Sequence, residues 1–119
     1  MAWFGHSGGG TLAVLLAPRF AETTDLVTVA ANLEIDAWAD LHGYARLAGS
    51  VNPAREPPLP PRIRQRHYLG AADRRVPADV TARGPIPPES VAIVAGYDHV
   101  CCWREIWPSV LAEVAAGGR

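Results

Sequence analysis

The sequence predicts an α/β fold: a mostly parallel sheet of about four strands flanked by helices. Three observations predict it. Residues 26–33 (LVTVAANL) and 90–96 (SVAIVAG) are β-rich and largely uninterrupted, as in strands buried on both faces of a parallel sheet. Helical or turn segments alternate with the strands, and no hairpin signal joins any two of them. With 119 residues, 49% hydrophobic and 19% charged, the chain is neither disordered nor collagen-like. Scaling of surface with mass lets a chain this size bury about two-thirds of its unfolded surface, enough for one core.

The elements follow in order. Residues 1–4 are a short apolar stub, followed at once by Gly5-His6-Ser7-Gly8-Gly9-Gly10. Residues 11–19 (TLAVLLAPR) are apolar on nearly all sides, which suits a helix wedged between the sheet and another layer and ending near Pro18. After the strand at 26–33, residues 35–50 carry Trp38, Leu41, Tyr44 and Leu47 at helical spacings, with Gly43 weakening the pattern. Residues 52–62 hold five of the eleven prolines and predict an extended connector. Residues 65–70 (QRHYLG) predict a strand ended by Gly70, residues 76–83 a short helix entered through Pro77, and residues 84–88 a turn. Residues 90–96 are the clearest buried strand. Trp103, Ile106, Trp107, Val110, Leu111 and Val114 form a helical stripe in which Pro108 kinks the helix or starts a new one.

Composition narrows the function. Eleven Lys and Arg against twelve Asp and Glu, with a pI near 6.4, leave no basic face for a phosphate backbone, so nucleic acid is excluded as a partner. The apolar run at 12–17 is too short to span a bilayer and follows no basic segment, so the expectation is a cytoplasmic protein without a signal peptide. Cys101 and Cys102 are adjacent; they predict buried thiols under the last helix in a reducing compartment. The four histidines show no metal-ligand spacing. The glycine run lacks the Lys-Ser/Thr of a phosphate-binding loop. No metal or cofactor is expected.

Gly5-His6-Ser7-Gly8-Gly9 matches the G-x-S-x-G nucleophile elbow. There a strand turns sharply into a helix and holds the serine in a strained conformation with its hydroxyl exposed. Glycines on either side let strand and helix pass closely. The helix aims its first N–H groups at the place where an oxyanion would form, and Gly8, just after the serine, supplies the nearest.

A serine needs a base, and the base an orienting acid. His99 lies just beyond the strand at 90–96, at the sheet edge where open parallel sheets carry their chemistry, and is the expected base. His6 neighbours Ser7 and is expected to pack at the elbow or touch substrate; His42 and His67 are expected to be structural. Asp73, beyond the strand ending at Gly70, is the expected acid. Asp36 competes for that role, and Asp98 is too close to His99 in sequence to hold its far nitrogen. The order Ser7, Asp73, His99 is that of one triad lineage.

The elbow, the segment from Leu69 through Asp73 to Pro77, and Gly96-Tyr97-Asp98-His99 together resemble the C-terminal half of an α/β-hydrolase. The resemblance covers nearly all of the chain as one domain, 1–119. It implies a serine hydrolase that forms an acyl-enzyme, most often with a small-molecule carboxylic ester. Residues 35–62 would be a cap-like helix and Pro-rich connector, with Trp38 a candidate substrate contact. The family's first four strands have no counterpart here, nor does the loop that supplies its second oxyanion N–H. The expectations are therefore a truncated layer, self-association or a partner covering an open sheet edge, and an alternative reading as an inactive fragment or half-protein. Pro57-Pro58-Leu59-Pro60-Pro61-Arg62 also fits a P-x-x-P-x-R ligand for aromatic grooves.

Overall fold

A computed structural model describes residues 1–117. Strands β1 (Ala2–His6), β2 (Asp25–Val29), β3 (Arg64–Gly70) and β4 (Val91–Val94) form one sheet in sequence order, with every neighbouring pair parallel. Helices α1 (Gly8–Leu16), α2 (Ile35–His42), α3 (Ala78–Thr81) and α4 (Trp107–Gly117) lie in the connections and after the last strand. Parallel pairing needs such crossovers, because the chain must return to the same end before each new strand.

All five residues of β2 are buried, the signature of a central strand covered on both faces. Alternation sends Leu26 and Val29 to opposite faces. Leu26 joins Ala13, Val14 and Ala17 of the α1 region with Leu33, Ile63 and Ile86. Val29 joins Ala30 and Trp103, with Tyr68, Val94 and Trp107 packed against them. Emptying a site such as Leu26, which has no solvent exposure, costs about 2–5 kcal/mol by the usual large-to-small rule.

Several sequence expectations are corrected. The strand at 90–96 shortens to Val91–Val94 and sits at an edge of the sheet, with Ile93 58% exposed. Its apolar run reads as central, but β4 pairs only with β3. The strand at 26–33 ends at Val29, and its apolar remainder is a buried loop. The helix expected over 35–50 stops at His42, where Gly43 takes φ +69° and closes it with a left-handed cap. Leu41, Tyr44 and Leu47 are exposed. The helix expected at 11–19 begins earlier, within the glycine run, and its last turn is a 3-10 turn over Ala17–Arg19.

Pro108 starts a new helix: a 3-10 turn spans Trp103–Glu105, and α4 opens at Trp107. Of the expected stripe only Trp103 and Val110 are fully buried, and Leu111 is exposed. Cys101 and Cys102 are not buried thiols. Cys101 is exposed, Cys102 half-buried, and the two are joined to each other. Arg62, the arginine of the P-x-x-P-x-R run, donates to the carbonyls of Pro18, Phe20, Ala21 and Thr23. It therefore ties the connector to its own chain.

Among the described residues, β1 and β4 each pair on one side only. The accessible surface is 6707 Å², above the roughly 6,200 Å² that scaling gives for this mass, and Leu12, Tyr44 and Val100 stand among the exposed apolar side chains.

Candidate active site

Ser7 stands between the last residue of β1 and the first of α1, with φ 52° and ψ −124°. A non-glycine residue at that φ is strained by about 1–3 kcal/mol. The surroundings over-determine it. The Ser7 N–H donates to the Val29 carbonyl at 2.8 Å, and its carbonyl accepts from Gly10 and Thr11 at 2.9 and 3.2 Å.

The glycines divide unevenly. A Cβ on Gly5 would stand 2.6 Å from the Gly10 Cα, and a Cβ on Gly10 would stand 2.6 Å from the Ala31 Cβ. A Cβ on Gly9 meets nothing within 4 Å. Gly5 is needed as expected, but the close helix contact falls on Gly10, the third residue after the serine, and not on Gly9. A helix that starts at Gly8 turns its third residue toward the sheet and its second outward.

The acid and the base come from two neighbouring turns. A Cβ on Gly70, the last residue of β3, would collide with the Tyr97 carbonyl. That bare position lets the segment after β4 cross over the end of β3, where Ala72 N–H donates to the Tyr97 carbonyl at 2.9 Å. Asp98 then folds its own loop: its carboxylate accepts from the Val100 and Cys101 N–H groups at 2.8 and 2.6 Å. These backbone donors hold the Asp98 carboxyl below its ordinary value. Trp103 Nε1 donates to the Asp98 carbonyl.

Between these turns the structure brings three side chains together. Ser7 Oγ lies 2.9 Å from His99 Nε2, and His99 Nδ1 lies 2.9 Å from Asp73 Oδ2. Asp73 is buried, and its Oδ1 accepts from the Arg75 and Val76 N–H groups at 2.9 Å each. A carboxylate offers only acceptors, so the His99 ring proton sits on Nδ1 and leaves Nε2 to accept the Ser7 hydroxyl. The N–H groups of Gly8 and Gly9, in the first turn of α1, have no partner within the helix, and Gly8 lines the cleft beside Ser7.

The other candidates lie elsewhere. His6 is exposed and does not line the cleft beside Ser7; its Nε2 meets the His99 carbonyl at 3.1 Å, which steadies the loop of the base. Asp36 pairs with Arg55 and Arg46. His42 Nε2 and Trp38 Nε1 both donate to the Arg75 carbonyl at 2.8 Å. His67 is buried in β3 between Thr28 and Gln65. Among the described residues no group of three or more His, Cys, Asp or Glu side chains could hold a metal ion, and no helix is long and apolar enough to cross a membrane.

A cleft of about 590 Å³ opens beside Ser7, with Leu12, Leu15, Ile35, Trp38, Leu47 and Val51 forming apolar walls. Trp38 and Leu47 line it, whereas Leu41 and Tyr44 do not. Asn32 also lines it, and its Oδ1 is buried without a hydrogen-bond partner. Sequence reasoning missed Gly10, Asn32 and Arg75 as site residues. The third consecutive glycine was the only signal for Gly10, and nothing marked the other two.

No protein-family model matches the chain, and no curated protein does. Among solved structures, an esterase domain from Rhodothermus marinus superposes with a TM-score of 0.53 at 17% identity, over 82% of this chain. The match spans 52% of that domain, so the chain covers about half its length. At this identity the likeness is one of fold.

Proposed function

We propose that the chain is a serine hydrolase that cleaves carboxylic esters through an acyl-enzyme. The observation that carries the reading is the continuous hydrogen-bond chain from Ser7 through His99 to the buried Asp73. In acylation Ser7 Oγ attacks the ester carbonyl carbon while its proton passes to His99 Nε2. Asp73 holds the ring in orientation and stabilises the imidazolium. The oxyanion forms against the Gly8 N–H at the positive end of α1. The C–O bond to the alcohol breaks, and the alcohol leaves with the proton from His99. Water then attacks the acyl-enzyme, gives a proton to His99, and the acid departs as Ser7 recovers its proton.

The strained backbone of Ser7 and the fold shared with an esterase domain support this reading. Purified protein should hydrolyse p-nitrophenyl butyrate, and a fluorophosphonate probe should label Ser7. Activity indifferent to Ser7→Ala would remove the nucleophile.

One observation favours a second reading, a half-protein that needs a covering partner or a second copy. Among the described residues β1 is paired on one side only, while the matched esterase domain is about twice as long as the part this chain covers. Light scattering distinguishes the two readings: a monomer with full fluorophosphonate reactivity rejects the second.

A further inference from the structure

Among the described residues that line the apolar cleft beside Ser7, Arg75 is the one with a formal charge. It also lines a second, smaller hollow beside His99, together with Arg74, Asp98 and Val100. The two hollows meet at Arg75 and His99. Three hydrogen bonds fix the Arg75 backbone: its N–H donates to Asp73, and its carbonyl accepts from Trp38 and His42. Its guanidinium has no hydrogen-bond or ion-pair partner among the described residues.

The acids of α2 and its N-cap, the helix that holds the Arg75 carbonyl, are otherwise engaged. Asp36 pairs with Arg55 and Arg46, and Asp40 pairs with Arg46. Glu34 accepts from Asn52 and from the Asp36 N–H. Asp98 lies within electrostatic reach of Arg75, but its carboxylate is turned onto the Val100 and Cys101 N–H groups. A guanidinium keeps its charge throughout the physiological range and carries five donors in a planar fork suited to an anion. Arg75 is exposed, so its guanidinium stands on a fixed turn, solvated and without a side-chain partner, open to an anion that reaches His99.

Its position relative to the base says which part of a substrate would supply that charge. On the reading of Ser7 and His99 proposed above, the departing alcohol takes its proton from His99 and so leaves past that ring. On the same reading the apolar cleft is left for the acyl group. We infer that the preferred substrates are esters whose alcohol portion carries an anionic group, a carboxylate or a phosphate, bound by Arg75.

The test compares 4-acetoxybenzoate with its neutral methyl ester. In the wild-type protein the ratio of kcat/KM, anionic over neutral, should exceed that of Arg75→Met by about tenfold, and Arg75→Lys should keep part of the difference. The same ratio in wild type and Arg75→Met overturns the inference. The pair is also titrated calorimetrically into Ser7→Ala and Ser7→Ala/Arg75→Met. A preference for the anion that disappears with Arg75 supports the site even if Ser7 proves not to be the nucleophile. Equal affinity for both ligands in both proteins overturns it. Unchanged turnover in Ser7→Ala counts against the hydrolase mechanism alone.

Discussion

Thr28 Oγ1 lies 2.7 Å from His67 Nδ1 on adjacent strands, and neither residue is exposed to solvent. Gln65 Oε1 lies 2.9 Å from the other ring nitrogen. The ring is thus neutral, accepting from Thr28 and donating to Gln65, and burial pushes its pKa down to about 4 from 6.5. Because the folded value lies below the unfolded one, the unfolded chain binds more protons between these limits. Stability should be full above about pH 6.5 and fall as the pH drops toward 4, by up to about 3 kcal/mol. Urea midpoints measured from pH 7 to 4.5 test this. His67→Leu should flatten the dependence while lowering stability at pH 7 by about 1–3 kcal/mol, since Thr28 loses its acceptor. Parallel curves for the two proteins would contradict the assignment.

Gly9 and Gly10 should respond in opposite ways to one added methyl. Gly10→Ala places a Cβ against Ala31 and 3.1 Å from the Gly5 carbonyl, and should destabilise by about 1–3 kcal/mol through overpacking. Gly9→Ala meets open space and should be neutral or stabilising by about 0.5–1 kcal/mol. Denaturant unfolding of the two variants decides the matter, and equal effects would refute it.

Gly70→Ala should uncouple the two turns that carry the acid and the base. The new Cβ presses on the Tyr97 carbonyl and stands 3.0 Å from that of Asp98, so the loop bearing His99 must shift. An ångström-scale displacement is enough to slow fluorophosphonate labelling of Ser7 by about a hundredfold, with far-ultraviolet circular dichroism unchanged. Labelling at the wild-type rate would show that the loop tolerates the intrusion.

Asp73 and Asp36 separate by substitution. Asp73→Asn should lower kcat by about 10⁴, because the amide no longer holds the His99 tautomer. Asp36→Asn breaks only ion pairs to arginines that are themselves largely exposed and should change kcat by no more than about twofold. Steady-state kinetics on p-nitrophenyl butyrate distinguish the two, and a large loss in Asp36→Asn would reopen its candidacy.

Much of the site was legible because its chemistry is local or ordinal. The elbow is a five-residue pattern, and Asp73 and His99 follow strands whose C-terminal ends must meet at one edge of a parallel sheet. The strand types were legible for the same reason, as apolar β-rich runs between helical segments. Burial was harder to read. Residues 90–96 have the composition of a central strand yet form an edge, since neighbour number is set by topology and not by the run itself. In α2, helical spacing continued past Gly43, but a left-handed cap ended the helix and left Tyr44 and Leu47 largely in solvent. Gly70 read as a strand terminator, and only the crossing loop shows that it makes room for a carbonyl. Arg75 was hidden because an unpaired charge is defined by where its neighbours' charges go.

The peptide unit between Arg75 and Val76 accepts from Trp38 and His42 at its carbonyl and donates to Asp73 from its amide. Hydrogen bonds in series polarise one another, so α2 reinforces the grip on the acid through a single rigid plane. A shift of α2 away from Arg75 would loosen that grip, so the Trp38 wall of the cleft and the acid are joined as by one lever. Trp38→Phe, which keeps the aromatic wall but loses the indole donor, should for that reason lower kcat as well as raise KM; a change in KM alone would mean that the lever does not reach the acid.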